Sequence, residues 1–188
     1  MSHLVDGEAW QDFDRKHKTF VDDPRNLRLA VATDGFNPIG NFSLTYSMWP
    51  VLVTLLNLPP WECVNPLNCF MSLLIPGPTS PRKDFDVFLE PLIDDMRKLW
   101  KGVNSFHVLH PDKGFTLCIA MLWCIHDFLA LSTLSGRTTK GYYACIYCDK
   151  NPLSRSLRKK LGYLGHRRYL PRDHPWRKSL DFDGETED

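Results

Sequence analysis

The sequence lacks a large net charge, a long hydrophobic run and an apolar N-terminal segment. Its 188 residues include 23 Lys and Arg and 22 Asp and Glu, and 43% are hydrophobic. A disordered chain would combine few aromatic residues with a large net charge, so this composition indicates a folded protein. The longest apolar runs, such as 115–125, are too short to cross a bilayer, and the charged N-terminus has no signal-peptide core. We therefore expect a soluble, intracellular chain without a membrane partner.

The near-zero net charge conceals an uneven distribution. Residues 137–178 carry 12 Lys and Arg but two acids, a net charge of +10, whereas the rest of the chain has a net charge of −9. In 155–178 the basic residues are interspersed with tyrosine and tryptophan, a mixture suited to phosphate contact and base stacking. A charge run is usually a solvated surface, and that alternative stays open. We favour nucleic-acid binding, with the contacts Arg155, Arg158, Lys159, Lys160, Arg167, Arg168, Arg172, Arg177 and Lys178.

Hydrophobic patterning predicts an α/β or α+β domain with a mixed sheet. Strands are expected at 27–33, 47–56 and 71–75, where apolar side chains alternate or cluster between turn residues. A helix capped by Asp84 follows. Its predicted apolar face consists of Phe85, Phe88, Leu89, Leu92, Met96, Leu99 and Val103. Beyond it, the pattern predicts a strand at 105–110, a turn at 111–114 and a long buried strand at 115–126, for which a helix is the alternative.

Two aspartates follow predicted strands. Asp34 comes directly after the first strand, and Asp127 follows the long apolar segment. Acids at the ends of neighbouring strands can meet at one edge of a sheet, and converging carboxylates are the ligands that Mg²⁺ or Mn²⁺ requires. Two such ions about 4 Å apart would support phosphodiester chemistry. The alternative is that the Asp-Gly pair at residues 34 and 35 only forms a turn.

Four residues have a spacing that is compatible with a structural zinc site. Cys145, Cys148, His166 and His174 form a C-x2-C-x17-H-x7-H array. Two thiolates and two imidazoles give Zn²⁺ its usual tetrahedral ligand set, although the gap between the histidines exceeds that of a standard finger. Two buried thiols and two surface histidines are the alternative, and a thioredoxin-like redox pair is less favoured.

Seven segments, taken in order, closely resemble one known family. They are RLAVATDGFNPIGN (28–41), SMWPVLVTLLNLPPW (47–61), MSLLIPGP (71–78), DVFLEPLIDDM (86–96), MLWCIHDF (121–128), LSGRTTKGYYACIYC (134–148) and YLGHRRYLPRDHPWR (163–177). In this order they resemble the plant transposases of CACTA-type (En/Spm-like) DNA transposons. The resemblance covers nearly the whole chain. Leu129 and Arg137 depart from it, because the family usually has Pro and Trp at these positions.

The resemblance implies a ribonuclease-H-like core with an acidic triad, which cuts DNA at the element's ends and joins the 3′ ends to a target. Asp34 would be the first acid and Asp127 the second, with Mg²⁺ or Mn²⁺ as cofactor. Cys145, Cys148, His166 and His174 would belong to a zinc-binding insertion. The implied organisation is an extension over 1–26, the core over 27–134 and the basic insertion with an acidic tail over 135–188. The implied location is the nucleus.

The third acid of the triad is expected further along than Asp188, on a later helix. We therefore expect a truncated transposase that is inactive alone. Its partners would be transposon-end and target DNA, together with further transposase copies or an element-encoded accessory protein. The alternative is a non-enzymatic DNA-binding or regulatory protein derived from a transposon.

Overall fold

Helices and strands are interspersed along the chain, with some strands following one another directly. The computed structural model describes residues 3–39, 46–81, 84–137, 141–143, 145–146, 154–163 and 170–180. The strands are β1 (Leu27–Thr33), β2 (Trp49–Leu55), β3 (Cys69–Ile75), β4 (Val103–His107), β5 (His110–Leu117), β6 (Ile119–Ile125), β7 (Ser154–Leu157) and β8 (Lys160–Tyr163). The helices are α1 (Glu8–Lys16), α2 (Lys18–Val21), α3 (Pro60–Cys63), α4 (Phe85–Lys101), α5 (Phe128–Leu134) and α6 (Pro175–Lys178), with 3-10 turns at Leu4–Asp6 and Pro66–Asn68. None of the helices in these ranges has the length and apolarity of a membrane span.

The chain divides into two units, Met1–Ala130 and Leu131–Asp188. The first is built on a four-stranded sheet with the order β3-β2-β1-β6. β1 pairs antiparallel with β2 and parallel with β6, and β2 pairs antiparallel with β3. Five of the seven residues of β1 are buried, as its run of aliphatic side chains between two partner strands requires. The predicted mixed α/β class is confirmed, and so are the three strands predicted first along the chain.

α4 covers one face of this sheet. The core cluster consists of Leu29, Val31, Val51, Val53 and Leu92, from β1, β2 and α4. The helix forms here because its apolar stripe can be removed from water only against the aliphatic face of the sheet. The predicted helix is confirmed, but Val103 belongs to β4 and not to the helical face. Gly102 ends α4 at a φ of +101°, a conformation that residues with a side chain rarely adopt.

The segment after α4 differs from the prediction. The turn between β4 and β5 is at Val108 and Leu109, whereas 111–114 lies within β5. The register shifts between Phe106 and His107, so that the turn-favouring residues at 111–113 fall in a bulge where ladder hydrogen bonds are interrupted. The long strand expected at 115–126 is divided at Cys118, which bonds to β1 through its carbonyl instead of continuing the hairpin. The helical alternative for this segment is wrong.

The N-terminal segment packs on the face of the sheet opposite α4. Trp10 of α1 is buried with Ala30 and Leu56, and Ala30 points away from α4 because its neighbours on β1 point towards it. Arg28 lies on the same face, is 8% exposed and donates from Nη2 to Asp14 Oδ1 at 2.6 Å. Its guanidinium carbon is 4.6 Å from the centroid of the Trp10 ring. An ion pair and aromatic contacts therefore attach this segment to the sheet.

The second unit contains a short antiparallel hairpin and the one-turn helix α6. β7 pairs with β8 from Ser154↔Tyr163 to Leu157↔Lys160, which places Arg158 and Lys159 at the turn. Arg137 contacts the backbone of the segment before the hairpin, because its Nη1 donates to the carbonyls of Tyr143 at 3.1 Å and Cys145 at 3.4 Å. The arginine side chain thus binds two carbonyl groups at the position where the sequence departs from the resembled family.

Candidate functional site

The two aspartates predicted from the sequence lie at the same edge of the four-stranded sheet. Asp34 directly follows the last residue of β1, and Asp127 comes two residues after the last residue of β6. These strands are neighbours and run in parallel, so their carboxyl ends point the same way. Asp34 and Asp127 are both exposed, and both line one cleft. The arrangement expected from strand ends is therefore present, and the catalytic role of the two acids stays a prediction.

The cleft has a mainly apolar lining with polar residues among it. Its volume is about 360 Å³. The apolar lining residues are Ala32, Phe36, Pro50, Leu52 and Ile125, and the polar ones are Thr33, Asp34, His126 and Asp127. Ala32 belongs to the sheet face opposite α4, because it has the same orientation as Ala30 on β1. Carboxylates and an apolar surface therefore border the same small space.

The backbone directly after β1 holds the Asp34 carboxylate. Its Oδ1 accepts a hydrogen bond from the backbone N–H of Gly35 at 2.7 Å. A side chain at residue 35 has no room, because a Cβ atom there would lie 2.8 Å from the Trp49 ring and 2.9 Å from Ser47 Oγ. Trp49 is 6% exposed, and so the ring cannot swing into water without opening the core. Glycine is thus required where the chain turns out of β1.

The Asp127 carboxylate is held by the helix that follows it. Its Oδ1 accepts a hydrogen bond from the backbone N–H of Ala130 at 2.6 Å. This bond satisfies an N–H group at the start of α5, where a helix leaves its first donors without partners. The bond uses Oδ1 of Asp127 and leaves Oδ2 as the second carboxylate oxygen, in an orientation that the bond restricts.

His126 joins the two strand ends and was not predicted from the sequence. Its Nδ1 lies 3.2 Å from both the backbone nitrogen and the carbonyl oxygen of Thr33, so it accepts from the first or donates to the second according to its tautomer. The last backbone pair between the strands is Ala32↔Ile125, and the imidazole continues the connection one residue further. Thr33 Oγ1 in turn donates to the carbonyl of Pro50 on β2 at 2.8 Å. The bonds thus connect the residues that directly precede both aspartates.

Of the four predicted zinc ligands, the structure describes Cys145 and His174. Cys145 is buried, with a free thiol. His174 caps α6, because its Nδ1 accepts a hydrogen bond from Trp176 N at 3.2 Å. A neutral imidazole that accepts at Nδ1 carries its proton on Nε2, so metal binding through Nε2 would require loss of this cap. Cys148 and His166 lie outside the described residues.

Within the described ranges, no group of three or more His, Cys, Asp or Glu is placed to hold a metal ion. The zinc site stays a prediction. The same finding covers the cleft of the first unit, where the carboxylates of Asp34 and Asp127 are two potential oxygen ligands.

Most described members of the predicted nucleic-acid surface are exposed. Those on the hairpin are Arg155, Arg158, Lys159 and Lys160, and those near α6 are Arg172 and Lys178. Arg177 differs, because it is 4% exposed and its Nη1 donates to the Leu170 carbonyl at 2.9 Å. Buried in this way, its guanidinium holds the backbone around α6, and the expectation that it meets phosphate does not fit this conformation. Arg167 and Arg168 lie outside the described residues.

The fold and the cleft define a mixed α/β protein with paired carboxylates at the ends of parallel strands. The family model described as transposase family tnp2 matches residues 1–188, the full length of the chain. The chain therefore belongs to transposase family tnp2. No curated protein and no solved structure matches it. Membership of a transposase family indicates DNA as the partner.

Proposed function

We propose that this chain is the part of a plant CACTA-type (En/Spm-like) transposase that positions DNA for strand cleavage and transfer, on a ribonuclease-H-like sheet in the nucleus. The observation that carries the proposal is that Asp34 and Asp127 line one cleft at the ends of neighbouring parallel strands. Family membership supports DNA as the substrate. The mixed sheet, with three antiparallel strands and a fourth parallel to the first, supports the proposed fold.

The donor chemistry of the cleft fits a hard divalent cation. Mg²⁺ and Mn²⁺ prefer oxygen ligands, and Mg²⁺ is usually held by one or two carboxylates together with substrate phosphates and water. Asp34 and Asp127 would hold the ions. When bound, a pair of such ions activates a water or hydroxyl and stabilises the leaving oxygen. The chain itself fixes the carboxylates, through the N–H of Gly35 for Asp34 and the N–H of Ala130 for Asp127.

Binding of Mn²⁺ tests the proposed site directly. Free Mn²⁺ is measured by electron paramagnetic resonance while the full chain is titrated in the presence of a DNA oligonucleotide. We expect Asp34→Asn and Asp127→Asn each to weaken Mn²⁺ binding by at least about tenfold, because an amide oxygen carries no charge. Asp112→Asn is the matched control, since Asp112 is an exposed carboxylate on β5 that does not line the cleft. Equal Mn²⁺ affinity of all three variants and the unmodified chain would refute the site.

We further propose that the chain does not cut DNA alone. Among the described residues the cleft holds two carboxylates, and a centre of two ions needs additional ligands. The third would come from the acid that the family resemblance implies. In a nicking assay on transposon-end DNA with Mg²⁺ or Mn²⁺, we expect no product. Cleavage that disappears in Asp34→Ala would overturn the proposed inactivity and would support the role of Asp34.

The exposed hairpin supports a second candidate, a DNA-binding or regulatory protein that performs no chemistry. Arg158 and Lys159 stand at the tip of β7–β8, where phosphates can reach them. Replacing both with alanine should weaken DNA binding and reduce its salt dependence, by about 0.9 in the log–log slope for each lost phosphate contact. Under this candidate, Asp34→Asn and Asp127→Asn change neither DNA binding nor Mn²⁺ binding. The Mn²⁺ titration therefore separates the two functions.

The zinc proposal rests on the Cys/His spacing and the family resemblance. The described members, Cys145 and His174, are a buried thiol and a capping imidazole. Metal analysis after purification under reducing conditions should yield about one equivalent of Zn²⁺, lost in Cys145→Ser. A zinc content below about half an equivalent would count against four-ligand binding.

A further inference from the structure

Phe36 is an exposed aromatic residue that lines the cleft together with the proposed cation ligands. It follows Asp34 by two residues and is 47% exposed. The ring lines the same space as Asp34 and Asp127. A large aromatic group in contact with water at this place has no role in the core of the first unit, whose described clusters do not include it.

The backbone holds Phe36 firmly. Its N–H donates to the carbonyl of Met48 at 2.9 Å, and the N–H of Met48 donates to the carbonyl of Phe36 at 2.9 Å. These bonds form an isolated antiparallel bridge beyond the end of the sheet. On the other side, Gly35 fits against the buried Trp49 ring with no room for a side chain. Binding of a ligand to the Phe36 ring therefore costs little conformational entropy, because this segment is already ordered.

The apolar part of the lining determines what kind of group fits beside the ring. Leu52 is 37% exposed and Ile125 is 60% exposed, and with Ala32 and Pro50 they present hydrocarbon to the cleft next to Phe36. This part of the lining does not bind phosphate or sugar hydroxyls, which need donors or charges. It does suit the flat face of a nucleobase, because every base can stack on an aromatic ring whatever its sequence.

We propose that Phe36 is a base-stacking residue, which receives an unpaired nucleobase next to the phosphodiester held at Asp34 and Asp127. This inference rests on the proposed function, since it assumes that DNA enters this cleft. In a duplex both faces of a base are stacked on its neighbours, so only a base that has left the stack can lie against Phe36. The chain should therefore bind DNA with an unpaired nucleotide more tightly than fully paired DNA.

The fluorescent base 2-aminopurine provides the test, because stacking on an aromatic ring quenches its emission. The probes are a duplex oligonucleotide with one unpaired 2-aminopurine and its fully paired counterpart, each titrated with the full chain. We expect the unpaired probe to be quenched and to bind about tenfold more tightly than the paired one. Phe36→Leu should abolish most of the quenching and of the preference, whereas Phe36→Trp should keep both. Phe106→Leu is the matched control, since Phe106 is a 66% exposed phenylalanine on β4 outside the cleft.

The outcomes distinguish a failure of this inference from a failure of the proposed function. If Mn²⁺ binds through Asp34 and Asp127 but Phe36→Leu behaves like the unmodified chain, base stacking on Phe36 is refuted. If Phe36-dependent quenching is observed without Mn²⁺ binding, stacking is supported and the cation site fails. Equal quenching of both probes by the unmodified chain would also overturn the inference. Thermal melting of Phe36→Leu establishes that the variant is folded, and Phe36→Trp keeps the test valid if it is not.

Discussion

Replacing His126 with alanine removes the side chain that joins β1 to β6 beyond their last backbone pair. The imidazole Nδ1 is 3.2 Å from both the backbone nitrogen and the carbonyl oxygen of Thr33. Thr33 is 5% exposed. Loss of the imidazole leaves a buried backbone group without this partner, at a cost of about 1–3 kcal/mol. For a chain of this size, a loss of about 2 kcal/mol lowers Tm by about 4–8 °C. His126→Asn keeps an acceptor near the Nδ1 position and should lose less.

The same bond links the residues that carry the two carboxylates, because Thr33 directly precedes Asp34 and His126 directly precedes Asp127. Removing a group that positions a metal ligand typically costs about 10–100-fold in metal affinity. We therefore expect His126→Ala to weaken Mn²⁺ binding in the presence of DNA by about tenfold, with partial recovery in His126→Asn. The assay combines a thermal melt with the Mn²⁺ titration.

The control for this prediction is His107→Ala, since His107 is an exposed histidine on β4. Its Nδ1 accepts a solvent-exposed hydrogen bond from the Leu109 N–H at 3.2 Å, so the change should lower Tm far less than His126→Ala and leave Mn²⁺ affinity unchanged. If His126→Ala melts like this control, the bond to Thr33 makes no net contribution to stability. If Tm falls but Mn²⁺ affinity does not, the imidazole stabilises the sheet and does not position the carboxylates. Either result would refute the reasoning at a different step.

Three further changes test other parts of the first unit. Arg28→Ala should lower the free energy of unfolding by about 2–3 kcal/mol, since it leaves the half-buried Asp14 without its cationic partner. A loss below about 1 kcal/mol in urea denaturation would contradict this. Gly102→Ala should lower the free energy of unfolding by about 1–3 kcal/mol, because φ is +101° and the new methyl group would clash with the Thr116 side chain on β5. An unchanged thermal melt would contradict this. Arg25→Ala should raise the pKa of Asp23 from about 2 towards 3.8, because the side-chain hydrogen bond from Arg25 lowers it. The stabilisation from this pair is present above pH 3.8 and lost as pH falls through about 2, and an unchanged NMR titration of Asp23 would exclude Arg25 as the cause.

The sheet and α4 were predictable because each buries one continuous apolar surface. Leu29 and Val31 point to α4 and Ala30 points away, and the alternation that results is visible in the sequence. The hairpin after α4 was not predictable from composition. Pro111 and Gly114 favour a turn in isolation, but the pairing of β4 with β5 places Gly114 opposite Phe106 and Pro111 in the bulge that precedes it. Pairing between the strands overrides the local turn preference there. This pairing cannot be read from the turn or strand propensities of single residues.

The candidate site was partly predictable for a related reason. Asp34 and Asp127 could be located because carboxyl ends of parallel neighbours meet. The strand before Asp34 was clear from its alternation, whereas the apolar run before Asp127 was equally compatible with a helix. His126 and Thr33 are 93 residues apart, so no local pattern reveals their bond. The position of Phe36 in the cleft could likewise not be predicted, because single exposed hydrophobic residues are common on protein surfaces and the sequence does not show what surrounds this one.

Under the proposed function, the charge distribution separates two kinds of contact with DNA. The cleft of the first unit presents carboxylates and hydrocarbon, so without cations it repels phosphate. The exposed cations of the β7–β8 hairpin belong to the second unit, and they attract phosphate whether or not a divalent ion is present. Under the proposed function, the salt dependence of DNA binding therefore reports on the hairpin. Its dependence on Mn²⁺ reports on Asp34 and Asp127, and its preference for an unpaired base reports on Phe36. Under the proposed function, the near-zero net charge of the chain is thus the sum of a basic segment that attracts phosphate and an acidic remainder that includes the two proposed cation ligands.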